Sequence, residues 1–245
     1  MGGILNPVIA LLAFYWLAES VLIQKTELSN TQTILAETEK TQRYQRFENS
    51  FFSLLEQMNS VFIQLDTPDM SRTSTTNSCQ VSNRSKLSKL HRKVFNVNST
   101  VPISNMYITL RDNSADTNHY FRIIYQLLQF ILKNSTGEYN DNISFNSLLL
   151  TKVTNTEKFY ANIVRSFLSK EVTQLIAINC IDSTKIPYNM GEGQSGYPQY
   201  QNYKKFRALI ERYSLLEHIT NINEFSDITD YYDKSAFGNN INVEK

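Results

Sequence analysis

Histidine and cysteine are so sparse in this chain that most metal and nucleophile chemistries have nothing to work with. The three histidines, His91, His119 and His218, show no ligand spacing, and Cys79 and Cys180 are the only thiols. A tetrahedral zinc site needs several such donors close together, and a disulfide scaffold needs regularly spaced cysteines. No metal, cofactor or disulfide framework is therefore expected, and the thiol usage fits a reducing compartment. An excess of either charge is lacking too: 24 Lys and Arg against 23 Asp and Glu give a formal net charge of +1. Such a chain has no whole-molecule basic field to hold a nucleic acid, so any phosphate contact must come from a local patch. Glycine and proline are scarce, 7 and 5 in 245 residues. The one glycine-rich stretch, Gly191-Glu192-Gly193-Gln194-Ser195-Gly196, matches G-x-G-x-x-G by letter. It runs into Tyr197-Pro198 instead of opening a helix after a strand, so it reads as a loop and not as a dinucleotide site. Asn-x-Ser/Thr triplets at Asn83, Asn98, Asn134 and Asn142 are what chance gives in a chain so rich in these residues.

What the chain does have is one long apolar run. From Ile4 to Ile23 the only polar residues besides Tyr and Trp are Asn6, Glu19 and Ser20, and they lie towards the ends. About 20 residues at ~1.5 Å rise cross a ~30 Å hydrocarbon core, so residues 1–24 are expected to be a transmembrane anchor. Tyr15 and Trp16 suit a headgroup boundary, and Glu19 can snorkel. Met1-Gly2-Gly3 has no basic side chain and no small-residue cleavage site follows, which argues against a signal peptide. Lys25, Lys40, Arg43 and Arg46 follow the run and no basic side chain precedes it. The positive-inside rule therefore expects a single pass with the bulk of the chain in the cytoplasm. Residues 25–45 lack Gly and Pro and place Leu28 and Leu35 seven apart, which predicts a helical stalk with coiled-coil character. The rest is long enough for one sizeable domain, residues 46–220, with a polar tail at 221–245 that is expected to fray.

Within that domain the apolar residues recur at helical spacing. Phe47, Phe51, Leu54, Leu55, Met58, Phe62 and Leu65 mark one core-facing helix. Residues 66–85 are rich in Ser, Thr and Asn and read as a variable loop. Arg84, Lys86, Lys89, Arg92 and Lys93 surround Leu87, Leu90 and Val94, either as a solvated amphipathic helix or as a phosphate-contacting face. Residues 97–111 are ambiguous, with a β-rich stretch at Met106-Tyr107-Ile108-Thr109-Leu110. A strong helical run extends from Glu157 to about Cys180, with Ser169 a candidate local N-cap, and the last firm helix is expected from Lys204 to Ile219. The strongly periodic elements are helical, so the expected fold class is all-α: a helical bundle preceded by an N-terminal transmembrane helix and a stalk.

The segment richest in chemistry is His119-Tyr120-Phe121-Arg122-x-x-Tyr125. At helical spacing His119, Arg122, Gln126 and Gln129 share one stripe, and Phe121, Ile124, Tyr125, Leu128 and Leu132 share another. His works as acid or base near neutrality and Arg grips phosphate bidentately. A polar pocket drawing on His119, Arg122, Arg165, Ser169, Glu171 and Asn179 would suit metal-independent RNA cleavage. The bland alternative is a structural pair, with Glu171 or Glu211 as the partner carboxylate. Tyr44, Tyr125, Tyr160 and Tyr213 read as core residues with a polar tip.

Four strings in order resemble the phage abortive infection (AbiC-like) proteins of bacteria. They are Arg46-Phe47-Glu48-Asn49-Ser50-Phe51-Phe52-Ser53-Leu54-Leu55, the His119–Tyr125 segment, Tyr160 with Arg165-x-x-Leu168-Ser169-x-Glu171 and Asn179, and Phe206 with Ile210-Glu211-x-Tyr213-x-Leu215-Leu216. The resemblance extends over roughly residues 40–220. It departs at residues 66–85, which lack a Gly-Arg-containing segment, and at Arg165-Ser166-Phe167, where Arg-Ala is usual. It implies a membrane-tethered defence protein of the bacterial inner membrane that stops phage propagation, with no established reaction. His119, Arg122, Arg165 and Glu171 are then the catalytic candidates, and Tyr125, Ser169, Asn179 and Glu211 the binding candidates. The partners expected are the lipid bilayer, through Ile4 to Ile23, a phage or host protein or RNA, and further copies through the stalk. Two mechanisms compete: an RNase toxin resembling HEPN proteins, and a non-enzymatic membrane sensor or adaptor. HEPN toxins show Arg-x₄₋₆-His, whereas here Arg111 precedes His119 at a longer spacing and His119 precedes Arg122.

Overall fold

In a computed structural model the described residues are 5–68, 84–95, 101–135, 144–182, 199–219 and 226–240. The chain divides into two units, Met1–Asn49 and Ser50–Lys245. Helix α1 (Leu5–Asp66) begins in the first and ends in the second. In the first unit every side chain from residue 6 to residue 46 is exposed, including Leu28 and Leu35 of the expected heptad. The apolar run thus forms a helix long and apolar enough to cross a membrane, with a mean hydropathy of 1.6, and none of it is buried. Further along, Thr26, Thr31, Thr33 and Thr41 each donate to the carbonyl four residues back, and Arg43 pairs with Glu39 at 2.5 Å.

The second unit is built from helices alone among the described residues, as the periodicity predicts. After α1 come α2 (Lys86–Val94), α3 (Ile103–Asn113), α4 (Asn118–Asn134), α5 (Phe145–Leu150), α6 (Asn155–Ser166), α7 (Lys170–Asn179) and α8 (Gln199–Arg212). An isolated antiparallel bridge joins Pro68 to Ser85 across residues 69–83, so most of the expected variable loop lies outside the described residues, as do Cys79 and the Gly191–Gly196 string. Helix α7 is the hub. Val172 to Asn179 are all buried, which places α7 inside the unit rather than on its surface. Two of its buried polar side chains find partners: Thr173 donates to the Ser169 carbonyl at 3.0 Å, and Gln174 Oε1 lies 2.6 Å from His91 Nε2 of α2. Phe51 of α1 meets Tyr160 of α6 edge to face at 4.8 Å, and Phe62 meets Tyr120 of α4 at 6.0 Å.

The run from Glu157 to Cys180 breaks at the expected cap: it is two helices, interrupted at Phe167-Leu168 and restarted where Ser169 Oγ accepts from Val172 N at 3.3 Å. Three expectations are corrected. The β-rich stretch is helical, because Ile103, Met106 and Leu110 bury one α3 face at helical spacing and tertiary packing outweighs local strand preference. Helix α8 stops at Arg212 instead of Ile219: Ser214 takes a positive φ of 51°, and Leu216 N donates to Ala236 O at 2.9 Å. The tail does not fray across residues 226–240. It forms two 3₁₀ turns, Ser226–Tyr231 and Lys234–Phe237, in which Ile228, Ala236 and Phe237 are buried, as is Tyr232 between them. Tyr232 donates its hydroxyl to the Ala177 carbonyl of α7 at 2.7 Å, anchoring the tail on the hub.

Candidate functional site

Helix α4 separates its two stripes as the sequence predicts. Phe121, Ile124, Leu128 and Leu132 are buried, whereas His119, Arg122 and Gln126 are exposed and Gln129 is half-buried. The helix starts at Thr117, whose hydroxyl donates to the Ser114 carbonyl at 3.2 Å instead of capping the helix. Tyr125 is half-buried with its ring 5.7 Å from Phe206 of α8, and burial raises its pKa. Among the described residues His119 and Arg122 make no hydrogen bond or ion pair with one another or with Glu171 or Glu211.

The other candidates are held elsewhere. Arg165 forms an ion pair with Glu217, and it donates to the Ser214 carbonyl at 3.1 Å and to Asn162 Oδ1 at 2.9 Å. It therefore ties the end of α6 to the chain after α8. Ser169 spends its hydroxyl on the α7 cap, and Glu171 lies in the first turn of α7, where the helix dipole favours a carboxylate. Asn179 is buried and reaches Cys180 Sγ at 3.8 Å. Glu211 lies 3.7 Å from Arg207 and accepts from Asp233 N at 3.3 Å. These contacts hold Arg165, Ser169 and Glu211 away from α4, at the end of α6, the start of α7 and the Asp233 backbone.

Two clusters escaped sequence reasoning. In the first, Arg207 of α8 pairs with Asp182 at 3.0 Å as well as with Glu211. Burial opposes its charge, but the two carboxylates outweigh that and raise its pKa. Tyr107, Cys180, Ile181, Asp182, Tyr203, Lys204 and Arg207 line a cavity of about 10 Å³ here, the size of one water molecule. Burial raises the Tyr203 pKa, the charges of Tyr107 and Cys180 raise it further, and that of Arg122 lowers it. A space this small fits a solvent molecule, not a nucleotide. In the second cluster Arg212 and Glu157 are almost wholly buried, with side chains 5% and 1% exposed. Glu157 Oε2 accepts from Arg212 Nε at 3.0 Å, Arg212 Nη2 at 2.8 Å and the Tyr213 hydroxyl at 3.1 Å. Arg212 Nη1 donates to the Leu149 and Thr151 carbonyls at 3.1 and 2.8 Å, and Nη2 also reaches Thr151 Oγ1 at 3.4 Å. All five guanidinium N–H groups are thereby engaged. Glu157 also closes a capping box with Thr154, and the Thr-x-x-Glu spacing was the signal available in the sequence.

No curated protein and no solved structure matches the chain. The strings around Arg46 and Phe206 lie outside the segment that a family model matches. Residues 113–191, less than half of the chain but including all of α4 through α7, match the model described as "Putative phage abortive infection protein", and over that segment the chain is similar to this family.

Proposed function

We propose that this chain is a bacterial anti-phage defence protein that acts by abortive infection from the cytoplasmic membrane, with its helical unit on the cytoplasmic side. The family match supports the defence role. The apolar front of α1, none of which is buried among the described residues, supports the anchor. Within this reading the helical unit works as a sensor or adaptor that binds a phage or host component, not as a nuclease. One observation carries that choice: Arg165, Ser169, Asn179 and Glu211 are committed to packing contacts, while His119 and Arg122 are exposed on α4 and form no hydrogen bond or ion pair among the described residues. An exposed pair of this kind suits contact with a partner surface, whereas catalysis needs a positioned constellation.

The test is phage challenge at low and high multiplicity, at matched protein levels. The chains compared are the wild type, His119→Ala with Arg122→Ala, and a deletion of residues 1–24. Abortive infection predicts protection at low multiplicity and culture collapse at high multiplicity. Loss of protection on deletion supports the anchor, and protection that survives it removes the membrane from the mechanism. Loss in the double variant, accompanied by cleavage of RNA by the purified wild type alone, would replace the adaptor with a nuclease.

A further inference from the structure

Basic residues in this chain are balanced by acidic ones overall, yet α2 breaks that balance. Residues 84–95 hold Arg84, Lys86, Lys89, Arg92 and Lys93, and no acidic residue occurs between Asp69 and Asp112. At 3.6 residues per turn, Lys86, Lys89, Arg92 and Lys93 fall within an arc of about 120°. Leu87, Leu90 and Val94 are buried, and all five cations are exposed. The carboxylates at the end of α3 and in the turn before α4 are each matched: Asp116 lies 3.5 Å from Lys86, and Asp112 3.6 Å from Arg111. Lys93 donates to the neutral Asn113 Oδ1 at 2.5 Å, so its charge stays in surplus. Arg84, Lys89 and Arg92 form no ion pair among the described residues.

The face lacks what other partners need. Protein partners are met through apolar and aromatic groups, and lysine is depleted from such interfaces; here the apolar residues of α2 are spent on the core. Single-stranded nucleic acid is gripped by stacking its bases on exposed rings, but His91 and Phe95 are half-buried and stack on each other at 4.6 Å. A duplex asks for neither. Its bases are paired inside, and it presents one negative charge per about 1.7 Å of axis. The row from Lys86 to Lys93 is about 10 Å long at ~1.5 Å per residue, and so meets about six of those charges. Lysine is a mobile point charge that meets phosphate without fixing a geometry, and phosphate contacts carry no sequence information. We propose that the exposed basic face of α2 binds the phosphate backbone of double-stranded nucleic acid, whatever its sequence, and that such a duplex is the component the helical unit senses. The sensing role rests on the sensor reading above, whereas the binding site stands on the face alone.

The experiment titrates the full chain, in non-ionic detergent, into short fluorescently labelled duplexes of arbitrary sequence, one of RNA and one of DNA, and follows anisotropy from about 50 to about 200 mM salt. Each cation on a phosphate adds about 0.9 to the fall of log affinity with log salt, so four or five should cost roughly 100- to 500-fold across that range. Equal binding of the two duplexes, or a preference for one, tells which source the face accepts. Changing Lys86, Lys89, Arg92 and Lys93 all to Gln should remove most of the salt dependence. The milder pair Lys89→Gln with Arg92→Gln breaks no ion pair among the described residues; it should lower the slope by about 2 and keep the melting temperature. Changing the exposed Lys152, Lys158 and Lys170 to Gln should leave binding as it was. No binding by the wild type at the lowest salt overturns the proposal, as does tighter binding of a single strand of the same sequence. Displacement of the duplex by poly-glutamate at equal charge overturns the choice of partner in favour of an acidic protein. In phage challenge, protection that persists in a non-binding variant overturns the duplex as the sensed component and leaves the defence reading standing. A wild type that binds duplex but protects against no phage keeps the binding site and overturns the defence reading, and the sensing role with it.

Discussion

Replacing Arg212 with Met is the sharpest test of how this fold is held together. The methionine keeps most of the side-chain volume and removes a guanidinium whose five N–H groups are all spent on Glu157, Thr151 and the Leu149 carbonyl. Glu157 then remains as a carboxylate 1% exposed, keeping only Tyr213 and the weak contacts to Thr154. Breaking a buried pair by deleting one partner costs about 3–5 kcal/mol, most of it the penalty of the stranded charge. Against a total stability of about 5–15 kcal/mol, that is a large fraction. For a unit of this size each kcal/mol moves the melting temperature by about 2–4 °C, so a fall of roughly 6–20 °C is expected. The assay is thermal melting of the full chain in detergent, followed by near-ultraviolet circular dichroism, which reports tertiary packing of the tyrosines and not the helicity of α1.

A second substitution separates charge from shape. Glu157→Gln keeps the capping box, since Gln serves at the same helix position, but removes the stranded charge. Combined with Arg212→Met it should restore part of the loss instead of adding to it. If Arg212→Met melts within a degree of the wild type, or if the double variant falls by the sum of the singles, water rather than Glu157 is neutralising the guanidinium and the argument fails.

Four further outcomes follow from other buried groups. Tyr120 is fully buried and its hydroxyl has no hydrogen-bond partner among the described residues, so Tyr120→Phe should leave the melting temperature unchanged or raise stability by about 1 kcal/mol; a clear loss would reveal a partner at that hydroxyl. Burial raises the pKa values of Tyr120, Tyr213 and Tyr232, and the Glu157 charge adds to the rise at Tyr213. Raised folded values mean that stability is intact below the unfolded value of about 10 and is lost above it, by about 1.4 kcal/mol per pH unit for each tyrosine, which denaturant titration from neutral to alkaline pH will read. Burial likewise raises the Cys180 pKa, so in a Cys79→Ser background a thiol reagent should label Cys180 only after urea is added. Finally, a chain ending at Ile219 loses the buried Ile228, Tyr232 and Phe237, each worth about 1.5–3 kcal/mol, and its second unit should no longer melt cooperatively.

These tests fall on residues that the sequence made hard to see, and the reason is physical. The two stripes of α4 were legible because a helix repeats every 3.6 residues and Phe121, Ile124, Leu128 and Leu132 obey that period. Ser169 was legible as a cap because its hydroxyl acts on a backbone group three residues away. The Arg212–Glu157 contact has no such local signature: its members are 55 residues apart, and nothing in the residues around either one specifies the other. The same holds for Arg207 with Asp182, and for Tyr232 on the Ala177 carbonyl, which turned an apparently polar tail into part of the core.

This distinction also explains why a shared string of residues is a poor guide to a site here. Arg165, Ser169 and Glu171 stand close in sequence to one another, and together with His119 and Arg122 they suggest a polar pocket. Yet Arg165 sits at the end of α6 and turns to Glu217, while Ser169 and Glu171 serve the start of the next helix. A break of three residues between α6 and α7 is enough to send neighbouring polar groups to different structural duties. Residues that end one helix and begin another look, in sequence, much like residues that do chemistry. Among the described residues, His119 and Arg122 on α4 and Arg84, Lys89 and Arg92 at α2 are exposed and form no ion pair, so they can meet something outside the chain.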